Sequence, residues 1–206
     1  MRRIDSYFPV HPFDYTYLFD QLKNYHFPRN KIQSLIKKGD IIRIKKGLYV
    51  RGHSDQGYTD RKILANLIYG PSYISLEYAL SYWGFIPERV EEVTCVTNKR
   101  NKRFKTPLGV FSYRYIPTHK FSVGVDLIFV ENGSILIATQ EKAICDKLYF
   151  SPKLSNQPEL IIYLEDDLRI DMDELSTLNK DLLLELKAQY RKKTVSLFVD
   201  WYMCSY

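Results

Sequence analysis

The stretch from Pro28 to Val50, PRNKIQSLIKKGDIIRIKKGLYV, constrains the fold more than any other part of the chain. Pro28 can open a helix, because the first turn needs no backbone N–H from it. Ile32, Leu35 and Ile36 then recur at helical spacing, and Gly39 is placed to end the helix in the left-handed region. Directly afterwards Ile42, Ile44, Leu48 and Val50 flank Lys45-Lys46-Gly47, a strong hairpin signal. Upstream, Asp14 is a plausible N-cap for a helix over Tyr15–Tyr25, with Tyr15, Leu18, Phe19, Leu22 and Tyr25 on its apolar face. Helix, turn, helix and hairpin in about forty residues is the outline of a winged helix-turn-helix.

Charge follows the same outline. Residues 1–52 carry eleven basic and four acidic side chains, a net +7, whereas residues 53–150 net only +2 and residues 151–206 net −3. The positive end of the chain is the end a phosphate-binding module needs. Once Ile32, Leu35 and Ile36 are assigned to the core, the second helix presents Arg29, Asn30, Lys31, Gln33, Ser34, Lys37 and Lys38. Arg, Lys, Asn and Gln have the donor geometry that reads base edges, and Ser and Lys suit phosphates. Arg43, Lys45, Lys46 and Arg51 extend the basic character along the hairpin. The bland alternative is a solvated basic helix; the contiguity of basic helix and basic hairpin favours DNA. A second basic surface, Lys99, Arg100, Lys102, Arg103 and Lys105, is expected in a loop or hairpin arm. It suits a nucleic acid, an acidic partner, or merely the protection of a sheet edge.

The polar segment Arg51–Gly57 divides the chain into a winged helix-turn-helix over 1–52 and a larger domain over 58–206. In the second part, helices are expected over about Thr59–Tyr69 and Ser72–Trp83. Strands are expected over Val93–Thr97 and Val110–Ile116. Val125–Val130 and Ser134–Ala138 form a hairpin across an Asn-Gly turn, and Thr139 caps a helix reaching Phe150. The last third is helical, with Leu178, Leu182, Leu186 and Tyr190 on one face. The expected fold class is α+β, with a mixed or antiparallel sheet and C-terminal helices.

Little points to catalysis. His11, His26, His53 and His119 are scattered, and no HExxH, Walker or GxSxG motif is present. Glu141 and Asp146 are five apart on one helix, a spacing that assigns them capping and surface roles. Glu91-Glu92 and Glu165-Asp166-Asp167 lack companions for a metal site. No catalytic residue, metal or cofactor is therefore expected. Cys95, Cys145 and Cys204, without a CxxC pair, argue against a disulfide framework. No apolar run approaches the ~20 residues of a membrane span, and the N-terminus lacks a signal-peptide core. The expectation is a cytoplasmic protein with no membrane partner.

Two blocks carry a resemblance. YGPSYISLEYALSYWGFIPERVEEVTCVTNKRNKRFKTPLGVFSYRYI (Tyr69–Ile116) and IATQEKAICDKLYF (Ile137–Phe150) resemble AbiEi-type antitoxins of type IV toxin–antitoxin systems, and IIRIKKGLYV resembles their wing. The resemblance implies a winged helix that binds double-stranded DNA at the operon's own promoter. It also implies an antitoxin domain opposing a nucleotidyltransferase-type toxin, without a stable complex being required. Carried onto this sequence, the reading helix is Pro28–Lys38 and the wing Ile41–Val50. The segment before Asp14 departs from the pattern: Pro9 and Pro12 break the place of the usual first helix. Alternatives are a stand-alone winged-helix regulator with a ligand-sensing or dimerising second domain, a nucleic-acid-processing enzyme docked by its winged helix, and a purely partner-binding protein.

Overall fold

The structure, a computed structural model, describes residues 8–52 and 59–206. Two sheets and eight α-helices make up the described residues, in an α+β fold.

The N-terminal elements are β1 (Phe13–Asp14), α1 (Tyr15–Gln21), α2 (Pro28–Lys38), β2 (Ile41–Lys45) and β3 (Leu48–Arg51), with sheet order β1-β3-β2. Asp14 caps α1 as expected, its carboxylate accepting the Tyr17 N–H at 2.7 Å. The helix stops at Gln21, four residues short of the expected end. Leu18 and Leu22 are buried, but Tyr15, Phe19 and Tyr25 are exposed, so the apolar face is narrower than the periodicity predicts. Residues 8–12 form no helix. Phe8 instead stacks on Phe13, which stacks in turn on Tyr49, and these rings close a small core with Ile32, Leu35 and Ile41.

The β2–β3 hairpin has two buried faces. Ile41 and Tyr49 belong to the small core, whereas Ile44, Leu48 and Val50 belong to the main core of the larger unit. Alternation along each strand produces this split. At the hairpin base Gly52 donates its N–H to the Asp40 carbonyl at 2.8 Å. A Cβ at Gly52 would lie 1.7 Å from the Gly39 carbonyl oxygen, so only glycine allows this approach. The boundary expected before residue 58 falls on residues 53–58, outside the described residues.

The larger unit contains α3 (Arg61–Ile68), β4 (Ser72–Ile74), α4 (Leu76–Tyr82), β5 (Val93–Thr97), β6 (Lys102–Thr106), β7 (Gly109–Tyr115), β8 (Val125–Val130), β9 (Gly133–Ala138) and α5 (Gln140–Tyr149). After these come α6 (Gln157–Ile162), α7 (Lys180–Tyr190) and α8 (Lys193–Ser205). The six-stranded sheet runs β6-β7-β5-β4-β9-β8 and is mixed: β4–β9 and β5–β7 are parallel, the other pairs antiparallel. The helix expected over Ser72–Trp83 begins only at Leu76, because Ser72–Ile74 insert as the central strand β4. The second basic cluster lies on a hairpin arm, as expected: Lys102–Thr106 form the edge strand β6, paired antiparallel with β7, and Lys99 and Arg100 precede it outside any strand. In the C-terminal part, Leu183, Leu186 and Tyr190 form the buried face of α7, one position off the expected Leu182.

Alternation again assigns the faces. Tyr113 points at α3, its hydroxyl donating to the Ala65 carbonyl at 2.6 Å, and its β5 partner Cys95 shares that face. Tyr73 points the other way, to α5. There Asp146, expected at the surface, is 0% exposed. Its carboxylate accepts from Tyr73 Oη at 2.9 Å and Ser75 Oγ at 2.7 Å, and from Tyr190 Oη. Lys142, equally buried, donates to Tyr190 Oη at 2.6 Å and to the Lys120 carbonyl, with its Nζ 3.6 Å from Asp146. Glu141 is buried too and accepts the Asn179 N–H at 2.7 Å. Buried ions persist when each has partners, as here. The pair therefore fastens β4, α5, α7 and the turn at Lys120 to one another. Burial pulls the Lys142 ammonium down from its ordinary value and pushes Tyr73 and Tyr190 well up.

Candidate nucleic-acid interface

Helix α2 is anchored by Ile32 and Leu35, which point into the small core. Its end is fixed by Gly39 at φ 77°, whose N–H returns to the Ile36 and Leu35 carbonyls. Burying that face leaves Arg29, Asn30, Gln33, Lys37 and Lys38 exposed. Lys31 and Ser34 are half-buried, Lys31 holding its ammonium 5.0 Å over the Tyr25 ring. Lys37 and Lys38 sit in the last turn, where the helix dipole favours cations. No side chain of α2 forms an ion pair among the described residues.

The hairpin residues diverge. Arg43 and Lys46 are exposed, Lys46 at the tip beside Gly47, whose φ is 86°. Arg51 is half-buried at the end of β3. Lys45 turns back onto the larger unit, donating to the Leu67 and Ile68 carbonyls at 3.1 and 2.6 Å. It thus caps the C-terminal end of α3, the role a cation plays at that end of a helix dipole. Desolvation lowers the Lys45 pKa, helped by the charges of Lys102 and Lys99.

That neighbourhood brings Lys45 of the hairpin up to Lys99 and Lys102 of the second cluster, more than fifty residues away in sequence. Lys99 and Lys102 hold their ammoniums 5.7 and 5.5 Å from the Tyr69 ring, at the end of the helix that Lys45 caps. Arg100 and Lys105 are exposed. Arg103 does not join them: its guanidinium makes a two-pronged contact with Glu92 at 3.0 and 2.6 Å. Local sequence signals could not find Tyr69, because its relevance comes only from the packing of α3 against β6 and β7.

Among the described residues no three His, Cys, Asp or Glu side chains are grouped to hold a metal, and Cys95, Cys145 and Cys204 are free thiols. No described helix is long and apolar enough to cross a membrane.

No family profile matches the sequence, and no curated protein is similar to it. Among solved structures, the one titled "Crystal structure of JHP933 from Helicobacter pylori" is 16% identical, over 64% of this chain and 75% of that one, with a TM-score of 0.30. A likeness that loose carries no conclusion about fold or activity.

Proposed function

We propose that residues 8–52 act as a winged helix-turn-helix that binds duplex DNA, with α2 as the reading helix and the β2–β3 tip as the wing. The observation that carries the reading is the division of α2. Ile32 and Leu35 are buried, while Arg29, Asn30, Gln33, Lys37 and Lys38 are exposed together on a helix followed directly by a hairpin. In this reading Gln33 and Asn30 contact base edges, Arg29, Lys37, Lys38 and Lys46 contact phosphates, and Lys45 positions the wing. The resemblance to AbiEi-type antitoxins extends the proposal. The chain represses its own operon from the cytoplasm, and its larger unit counteracts a nucleotidyltransferase-type toxin without catalysis or cofactor.

The test is titration of the protein into duplex DNA from upstream of its own gene, beside a scrambled duplex, at two salt concentrations. The expected result is tighter binding to the native duplex, weakening as salt rises by roughly 0.9 log per log for each phosphate contacted. Lys37→Ala should weaken both duplexes alike and lower that slope by about one, whereas Gln33→Ala should change the preferred sequence. Equal, salt-insensitive binding to both duplexes would rule the reading out. Growth rescue on co-expression with the adjacent toxin gene tests the antitoxin part separately.

A further inference from the structure

A groove opens where the β5–β6 connection meets the end of α3. Tyr69, Asn98, Lys99, Arg100, Asn101 and Tyr115 line it, around about 610 Å³. Its walls are held in place. The Tyr69 ring meets Tyr113 edge-on at 5.3 Å and Phe104 at 5.8 Å. Lys99 donates its backbone N–H to Thr97 Oγ1 at 3.2 Å and its ammonium to the Gly70 carbonyl at 2.6 Å. Asn101 Oδ1 accepts the Tyr115 N–H at 2.7 Å, which leaves the amide nitrogen of Asn101 available. Tyr115 remains 48% exposed. A ligand would find the groove already ordered, so little conformational entropy is lost on binding.

The charge of the groove lacks an internal counter-ion. Lys45, Lys99 and Lys102 crowd the end of α3 with Arg100 beside them, and none of the four pairs with a carboxylate among the described residues. Burial, and after it the charges of Lys102 and Lys99, lowers the Lys45 pKa. Such a cluster attracts an anion. The rings specify which kind. An acidic peptide would satisfy the ammoniums and leave the exposed Tyr115 ring without a role, and a duplex keeps its base faces stacked inside. An unpaired base offers a π-face to tyrosine and polar edges to asparagine.

We propose that this groove binds single-stranded nucleic acid, an unpaired base stacking on Tyr115 while the flanking phosphates lie against Lys99, Arg100 and Lys102. None of the residues lining the groove belongs to α2, and the proposal does not depend on the duplex reading.

Fluorescence anisotropy of the full chain tests it, using a labelled oligothymidine of about 12 nucleotides, within the range a single-strand site spans, and a labelled duplex. Tyr115→Ala should weaken oligothymidine binding roughly 5- to 150-fold, the range that loss of one stacked base implies, with Tyr115→Phe restoring it. Duplex affinity should stay within about twofold, and an unchanged melting curve excludes misfolding. Lys37→Ala with Lys38→Ala should spare the single strand, so failure of the duplex reading leaves a separate signature. Unchanged oligothymidine binding by Tyr115→Ala would overturn the proposal. So would displacement by polyglutamate as readily as by unlabelled oligonucleotide at equal charge.

Discussion

Tyr190→Phe deletes one oxygen from the middle of the buried network. In the wild type that hydroxyl accepts from Lys142 Nζ at 2.6 Å and donates to the Asp146 carboxylate. Without it the ammonium keeps the Lys120 carbonyl, the carboxylate keeps Tyr73 and Ser75, and the two ions face each other at 3.6 Å. A hydrogen bond to a charged group contributes about 1.5–3 kcal/mol, and two are lost. Closer approach of Lys142 to Asp146 returns part of that, so the expected loss is about 2–4 kcal/mol. For a chain of this length it corresponds to a fall in Tm of roughly 5–15 °C. Urea unfolding followed by circular dichroism, with a thermal melt beside it, measures both. Tyr82→Phe is the control, because Tyr82 is exposed and its change should stay within about 0.5 kcal/mol. If Tyr190→Phe loses no more than the control, the hydroxyl is not the link between the two ions.

Three further outcomes follow from the same structure. Burial raises Tyr73, Tyr113 and Tyr190, and Tyr163 to about 12, whereas unfolded tyrosine titrates near 10. Their contribution is complete below about pH 10 and lost as pH rises toward the folded values, so the urea midpoint should fall between pH 10 and 12; a flat profile would contradict their burial. Gly52→Ala should cost about 3 kcal/mol or more through its clash with the Gly39 carbonyl, and a wild-type melt would mean the hairpin base is not closed as described. Lys45→Ala should lower stability by about 1–2 kcal/mol, since two helix-end carbonyls lose their donor, while Lys46→Ala should leave the melt unchanged and weaken duplex binding. The reverse pattern would exchange their roles.

Elements whose signals are local were legible in the sequence. Helix α2, the β2–β3 and β8–β9 hairpins and α5 each carry their own period, turn or cap within a dozen residues. Strands β1 and β4 were not, because two and three residues are too few to show a period. The position of β4 is set by partners as distant as Ile137. Asp146 was misplaced for a related reason. Its spacing from Glu141 suggested the surface, but the ligands that bury it come from Tyr73, Ser75 and Tyr190, on other elements. The one nearby clue was the i,i+4 pairing of Lys142 with Asp146. At the basic clusters, composition identified the residues and could not sort them: Lys45 is committed to α3 and Arg103 to Glu92, while Lys46 and Arg100 stay exposed.

The two-faced burial of the β2–β3 hairpin bears on how this protein can be taken apart. A cut after residue 52 leaves the true seam intact, since that seam runs through the strands. An excised N-terminal fragment would carry Ile44, Leu48 and Val50 into water, and the remainder would lose part of its own packing. Swapping this headpiece onto another body, or tethering it by a flexible spacer, would therefore require a redesigned outer surface on the hairpin. By the same geometry, a shift of the larger body is handed to the strands that brace α2 through Ile44, Leu48 and Val50, which pack in its core.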